Sequence, residues 1–184
     1  MKKDKTNSPH VEVGKLAILH TKAWLDEVVI GLNFCPFAKK EFVNNTIAYA
    51  TSEQSQLKLA LEEVALQCEQ LANDADIETS LLIFTVGFRQ FERFLDLVDY
   101  ANNLLVDLGF EGVFQLANFH PDYFFEGEPV DSASHYTNRA PYPTLHFIRE
   151  KSMERAVNHY PNPELIPENN IALAEEKGSD YFEQ

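Results

Sequence analysis

Apolar residues recur at helical spacing along three long stretches of the chain. The first runs from Val11 to Leu32, the second begins near residue 53 behind a Thr51–Gln54 capping box, and the third spans Phe91–Leu108. Side chains three and four positions apart share one face of a helix, so these patterns predict three amphipathic helices. A shorter helix is predicted over Lys151–His159.

Four short runs with strand character lie between these helices. They are Thr46–Thr51, Thr79–Val86, Val113–Phe119 and Thr144–Ile148. The second run is apolar throughout, which is typical of a strand buried on both faces of a parallel sheet. Alternating strands and helices favour an α/β fold with a mainly parallel sheet of about four strands flanked by helices. No helix precedes the last strand, so we expect it to be antiparallel or to lie at an edge.

The length of 184 residues favours a single domain. We place it at residues 11–160, after an N-terminal tail at 1–10. Residues 161–184, acidic and proline-containing, form a C-terminal tail that is expected to wrap the surface or stay mobile.

Composition narrows the classes of partner. With 29 acidic and 15 basic residues the formal charge is −14, which disfavours nucleic acid. No apolar run is long enough to cross a membrane, and the N-terminus lacks an apolar signal core. The two cysteines form no C-x-x-C motif and indicate no disulfide framework. We therefore expect a cytoplasmic protein without nucleic-acid or membrane partners; the sequence indicates no oligomeric state.

A long segment from about His120 to Pro143 connects the predicted third and fourth strands. In open α/β sheets ligands bind beyond the carboxyl ends of parallel strands, and this segment starts at such an end. It is rich in aromatic residues and longer than most connections, which favours a lid or a pocket wall. The alternative is a well-packed plug that binds nothing.

Two histidines are candidate acid–base residues. His120 ends the third strand, and an imidazole there is well placed for proton transfer. His146 shares a face of the fourth strand with Thr144 and Ile148, and beside the third strand it would meet Asn118 or His120. The alternative for both is an interior histidine held by hydrogen bonds. His135, in a polar part of the loop, is expected to be exposed.

Arg139 is the candidate anion ligand. The prolines of the following A-P-Y-P stiffen the chain, and a guanidinium held this way suits the carboxylate or phosphate of a small anionic molecule. Alternatively, Arg139 anchors the loop through nearby carboxylates. The other predicted ligand-binding residues are Asn118, Asn138, Tyr123, Tyr142 and, more weakly, Arg89.

Cys35 is the candidate nucleophile. Pro36 suits the first position of a helical turn, which would aim the amides of Phe37 and Ala38 at the sulfur. The alternative is an inert buried thiol. The potential ligands Cys35, His120, Asp131 and His146 fall in no recognised metal-binding spacing, so no metal site is predicted and the cofactor is left open.

Three segments carry a resemblance to a known family. They are Cys35–Ala38, then Phe119–Pro121 with Tyr123 and Phe125, and finally Asn138–Pro143 continuing through Leu145–His146 to Arg149–Glu150. In these segments the chain resembles an uncharacterised bacterial family, the domain of unknown function 1415. Ala140 stands where that family usually has serine. The resemblance implies no established activity.

Two functions follow from these patterns. The first is an enzyme acting on a small anionic metabolite, with His120 as acid or base, Arg139 as anion clamp and Cys35 as nucleophile. The second is a non-catalytic module that binds a small molecule or another protein.

Overall fold

The structure, a computed structural model, describes residues 9–183 of the chain, so the expected tail at 1–10 falls almost wholly outside it. Four strands form one sheet: β1 is Ile47–Ser52, β2 is Thr79–Phe84, β3 is Phe114–Phe119 and β4 is Thr144–Arg149. Each begins and ends within two residues of its prediction. The α/β class and the four-stranded sheet are therefore confirmed.

Seven α-helices are found among the described residues: α1 Pro9–Trp24, α2 Ala38–Val43, α3 Leu57–Asn73, α4 Phe91–Asp107, α5 Glu150–Asn158, α6 Ile166–Lys177 and α7 Ser179–Phe182. A π-helical turn, Leu25–Ile30, extends α1. Short 3₁₀ helices occur at Ala133–Thr137 and Pro163–Leu165. The predicted capping box is wrong, because Thr51 pairs with Ile83 inside the sheet and α3 starts only at Leu57.

The sheet is mixed, so the prediction of a mainly parallel sheet is wrong. Its strand order is β1-β2-β4-β3. β1 and β2 are parallel, whereas β4 is antiparallel to both of its neighbours, β2 and β3. The long connection explains this direction. It brings the chain back to the end of the sheet at which β3 finishes, so β4 must run antiparallel to β3. The antiparallel direction was expected; the central position was not.

Helices cover both faces of the sheet. On one face, α3 and α4 enclose a core that includes Leu82, Phe84 and Phe147. On the other, Ala17 of α1 packs against Leu81 and Ile83. Alternate residues of a strand point to opposite faces. Leu145 and Phe147 of β4 belong to the core under α3 and α4, so His146 and Ile148 face α1. Every residue of β2 is buried, because it has neighbours on both edges and both faces.

The chain after residue 160 folds back onto the domain. Ala174 of α6 is buried against Phe34 and Ala133. Asn170 Nδ2 donates a hydrogen bond to the Phe34 carbonyl oxygen (2.7 Å). The segment expected to wrap the surface or stay mobile thus holds a docked helix. No helix in residues 9–183 combines the length and the apolar character needed to cross a membrane.

Candidate functional site

His120 is a fully buried link between the long loop and the turn after β2. Its Nδ1 accepts a hydrogen bond from the Asp122 amide (3.0 Å), so the ring proton resides on Nε2. That nitrogen donates to the Phe88 carbonyl oxygen (3.0 Å). The ring lies 5.2 Å from the rings of both Phe91 and Phe94, and burial lowers its pKa. Because both nitrogens are engaged, this neutral ring matches the structural alternative.

His135 repeats the same arrangement within the loop. Its Nδ1 accepts from the Phe125 amide (3.2 Å), and its Nε2 donates to the Pro129 carbonyl oxygen (2.9 Å). The predicted exposure of His135 is wrong, since the side chain is fully buried. A loop that is packed against the protein needs partners for its backbone groups, and the imidazole supplies two.

Arg139 also serves the loop. Its Nε donates to the Tyr123 carbonyl oxygen (3.2 Å), and its guanidinium carbon lies 4.4 Å from the centre of the Tyr136 ring. Within residues 9–183 it forms no ion pair, so the loop is anchored through a carbonyl and a ring instead of through carboxylates. The long segment therefore resembles the packed plug more than a lid.

Some of the remaining predicted ligand residues contact one another, since the Asn138 side chain meets both Asn118 and Tyr123. Asn138 Nδ2 donates weakly to the Asn118 carbonyl oxygen (3.4 Å), and Tyr142 Oη lies 3.1 Å from His20 Nδ1. Arg89 is exposed after β2. The side-chain oxygen of Asn118 is buried without a hydrogen-bond partner in the part of the chain that the structure describes.

Cys35 and His146 share a different location, a cavity of about 240 Å³ on the α1 face of the sheet. The cavity lies over β2 and β4, the two middle strands, and extends towards the end of the sheet at which β1 and β2 begin. Apolar side chains form most of its wall: Trp24, Leu25, Val29, Phe37, Ile47, Leu81, Ala117, Phe119, Ile148, Met153 and Ala156. Neither His120 nor Arg139 lines it.

The π-helical turn shapes one side of this cavity. The Gly31 amide donates to the Asp26 carbonyl oxygen (2.9 Å), five residues back, as a π-helix requires. Leu25 and Val29 of this turn are buried and line the cavity. The chain then turns so that the Cys35 amide meets the Val29 carbonyl oxygen (3.4 Å), which sets the thiol at the cavity wall.

Cys35 has the predicted amides but not the predicted reactivity. The amides of Phe37 and Ala38 lie near the thiol, as the Cys-Pro turn indicated, and the Ala38 amide donates to the Cys35 carbonyl oxygen (3.2 Å). Burial nevertheless raises the pKa of the thiol, and the two nearby amides only partly oppose that effect. The resting group is a protonated thiol, because only a lowered pKa would give a substantial thiolate fraction near neutral pH.

His146 is held by one hydrogen bond. The Thr79 hydroxyl lies 2.6 Å from the Phe147 carbonyl oxygen and 2.6 Å from His146 Nε2. Burial lowers the pKa of His146 to about 4, so the ring is neutral at pH 7. The expected meeting with Asn118 or His120 is wrong: His146 pairs with Ala117, and strand alternation directs the neighbouring Asn118 to the other face.

Charged groups at the cavity wall already have partners. Arg149 donates to the carbonyl oxygens of Ile77 (3.0 Å) and Asp74 (2.8 Å). Glu78 accepts from the Ser152 hydroxyl (2.6 Å). Likewise, the Glu41 carboxylate accepts from Thr46 Oγ1 (2.6 Å). Across the described ranges, no three His, Cys, Asp or Glu side chains lie close enough together to hold a metal ion.

Comparison with known proteins identifies the family of the chain. The family described as proteins of unknown function, DUF1415, matches residues 17–184, nearly the whole sequence. The chain belongs to the DUF1415 family. Comparisons with curated proteins and with solved structures give no match. The resemblance drawn from the sequence is thereby confirmed, and it assigns no activity to this DUF1415 protein.

The three segments that carried the resemblance meet at the cavity. Cys35 comes from the first, Phe119 from the second, and His146 and Arg149 from the third. Sequence reasoning grouped Cys35 and His146 with His120 as candidate catalytic residues, and the cavity contains the first two without His120. The same reasoning missed Trp24 and Thr79, whose only sequence signals are positions on an apolar helix stripe and at the start of an apolar strand.

Proposed function

We propose that this DUF1415 protein binds a small, largely apolar molecule in the cavity between the sheet, the π-helical turn and α5. The cavity itself carries the proposal. Its volume of about 240 Å³ exceeds that of an engineered cavity that binds benzene, about 150 Å³, and is smaller than most drug-sized pockets, which start near about 300 Å³. A single substituted ring fits this size.

Binding is better supported than nucleophilic catalysis. A catalytic cysteine needs a thiolate and a base within hydrogen-bond reach. Here burial raises the pKa of the Cys35 thiol, and no hydrogen bond links it to His146 in the described structure. The residues of the cavity wall therefore support ligand binding, and they do little to activate the Cys35 thiol as a nucleophile.

Thiol chemistry on the bound molecule is the second candidate. Two observations favour it: the amides of Phe37 and Ala38 act to lower the pKa of the thiol, in opposition to burial, and His146 lines the same cavity. An enzyme acting on a small anionic metabolite through His120 and Arg139 has less support, because neither residue lines the cavity and both form hydrogen bonds with the loop backbone.

A cytoplasmic location belongs to the proposal as well. Both cysteines are free thiols, and a reducing compartment keeps them so. Their oxidation state in freshly lysed cells, measured by differential alkylation, tests this part independently of ligand binding. A disulfide in that sample would contradict it.

The binding proposal is tested by filling the cavity. Ala156 lines it, whereas Ala72 is exposed near the corresponding end of α3. Toluene should give a saturable change in amide NMR shifts and in the emission of Trp24, the single tryptophan of the chain. The change should persist in Ala72→Phe and disappear in Ala156→Phe. Absence of saturable binding, or unaltered binding in a folded Ala156→Phe protein, would overturn the proposal.

A further inference from the structure

The hydrogen bonds around His146 fix which of its nitrogens carries the proton. A hydroxyl has one proton to give, and a carbonyl oxygen can only accept. Thr79 Oγ1 is 2.6 Å from the Phe147 carbonyl oxygen, so its proton points there. His146 Nε2, also 2.6 Å from Oγ1, must then be the donor in the second contact. The neutral ring is held as the Nε2–H tautomer.

The other nitrogen, Nδ1, is consequently an acceptor without a donor. It has no hydrogen-bond partner among residues 9–183, although the ring forms part of the cavity wall. Nδ1 is not one of the fully buried atoms that lack a partner, so it is open to the cavity. A ligand that fills the cavity excludes solvent from this acceptor, which then costs free energy unless the ligand donates to it. Trp24 also has an unpartnered indole N–H, but protein atoms enclose that nitrogen, which removes it from reach of a ligand.

The surrounding charges disfavour an anion. Glu41 and Glu78 contribute two carboxylates to the wall. Among residues 9–183, Arg149 is the only lysine or arginine that lines the cavity, and its guanidinium donates to backbone carbonyls of the α3–β2 connection. A carboxylate ligand would meet an acceptor at Nδ1 and two like charges, and nothing in the wall would offset its loss of hydration.

We infer, on the basis of the proposed binding function, that the cavity selects a neutral ring compound bearing one hydroxyl or similar donor, which donates to His146 Nδ1. A phenol or a small alicyclic alcohol represents this class. The same ring with an ether oxygen, or with a carboxylate, binds less tightly.

Three probes that share one ring separate these properties. They are 4-methylphenol, its methyl ether 4-methylanisole, and 4-methylbenzoate, each titrated into the full-length protein at pH 7 and followed by amide NMR. One net hydrogen bond corresponds to about tenfold in affinity, so 4-methylphenol should bind about tenfold more tightly than the ether. The benzoate should bind most weakly.

Variants and a direct signal identify the contact. His146→Leu should lower 4-methylphenol affinity to that of the ether while retaining ether binding. In ¹⁵N-histidine spectra, Nδ1 of the free protein should show the shift of an unprotonated nitrogen and should move when 4-methylphenol binds. Thr79→Val, but not Thr79→Ser, should mix the tautomers and reduce the preference, since only serine keeps the hydroxyl.

The possible outcomes distinguish a failure of the donor preference from a failure of the proposed binding function. Equal affinity for 4-methylphenol and the ether, lost in Ala156→Phe, would overturn the donor preference and leave the cavity as a binding site. Tightest binding of the benzoate would overturn it in favour of an anionic ligand. If none of the probes and no toluene binds, both the inference and the proposed function fail.

Discussion

His120 and His146 are alike in most respects that draw attention to a histidine. Burial lowers the pKa of both, and each carries its proton on Nε2, although His120 is fully buried and His146 is half-buried at the cavity wall. They differ at the second nitrogen: in His120 it accepts the Asp122 amide, whereas in His146 it has no partner among the described residues. Because His120 and His146 both have a lowered pKa, the pKa does not distinguish a structural histidine from a candidate ligand contact. A ring nitrogen without a hydrogen-bond partner is the better indicator of a ligand contact.

The two histidines also occupy different parts of the sheet. His120 follows the carboxyl end of β3, where a parallel sheet would place a ligand, while His146 lies in the middle of β4. The loop uses its polar groups to satisfy its own backbone. The cavity instead lies against the α1 face of the sheet, beside the antiparallel strand to which the rule for parallel sheets does not apply.

The largest expected effect is on stability. His120→Ala should lower the free energy of unfolding by about 3 kcal/mol or more, because it leaves a cavity against Phe91 and Phe94 and removes the hydrogen-bond partner of the Asp122 amide and of the Phe88 carbonyl oxygen. His146→Ala should cost about 1 kcal/mol, since one hydrogen bond is lost beside an existing cavity. Urea unfolding of both variants measures this difference. Equal losses would erase the contrast between the two residues.

The next effect is the pH dependence of stability. Burial lowers the pKa of folded His146 from its usual 6.5 to about 4, so between these values the unfolded chain binds the proton and the folded chain does not. The free energy of unfolding should therefore be highest above about pH 6.5 and fall as the pH drops towards 4, by up to about 3 kcal/mol from this residue.

Replacing His146 isolates that contribution. His146→Leu should reduce the decline between pH 6.5 and 4 in urea unfolding experiments, and the part that remains includes the contribution of His120, whose pKa burial also lowers. An unchanged slope in His146→Leu would show that His146 takes up its proton equally well in the folded state.

The smallest effect concerns Cys35. Because burial raises the pKa of its thiol, alkylation by iodoacetamide at pH 7.5 should be slower than for a free cysteine, and should accelerate as the pH rises. A Cys68→Ser background leaves Cys35 as the single thiol, and mass spectrometry follows the product. Rapid labelling at neutral pH would contradict an unreactive role for Cys35 in the cavity wall and would favour the catalytic alternative.

Local features were predictable and distant pairings were not. The stripe of α4 and the amides of Phe37 and Ala38 around Cys35 depend on residues close in sequence. The insertion of β4 between β2 and β3 depends on strand pairing across the whole chain, which periodicity does not report. The same limit hid the Thr79–His146 bond, whose partners are 67 positions apart.

The central position of β4 has a consequence for the order in which the protein folds. β2 and β3 never pair with each other, and the strand that joins them is the last of the four to be synthesised. Until Thr144–Arg149 is available, one edge of β2 and one edge of β3 lack their partner. Edges of that kind invite pairing with other chains, and non-local closure of this type is slow. Completion of the sheet by β4 therefore ends an interval in which the nascent chain is most exposed to aggregation.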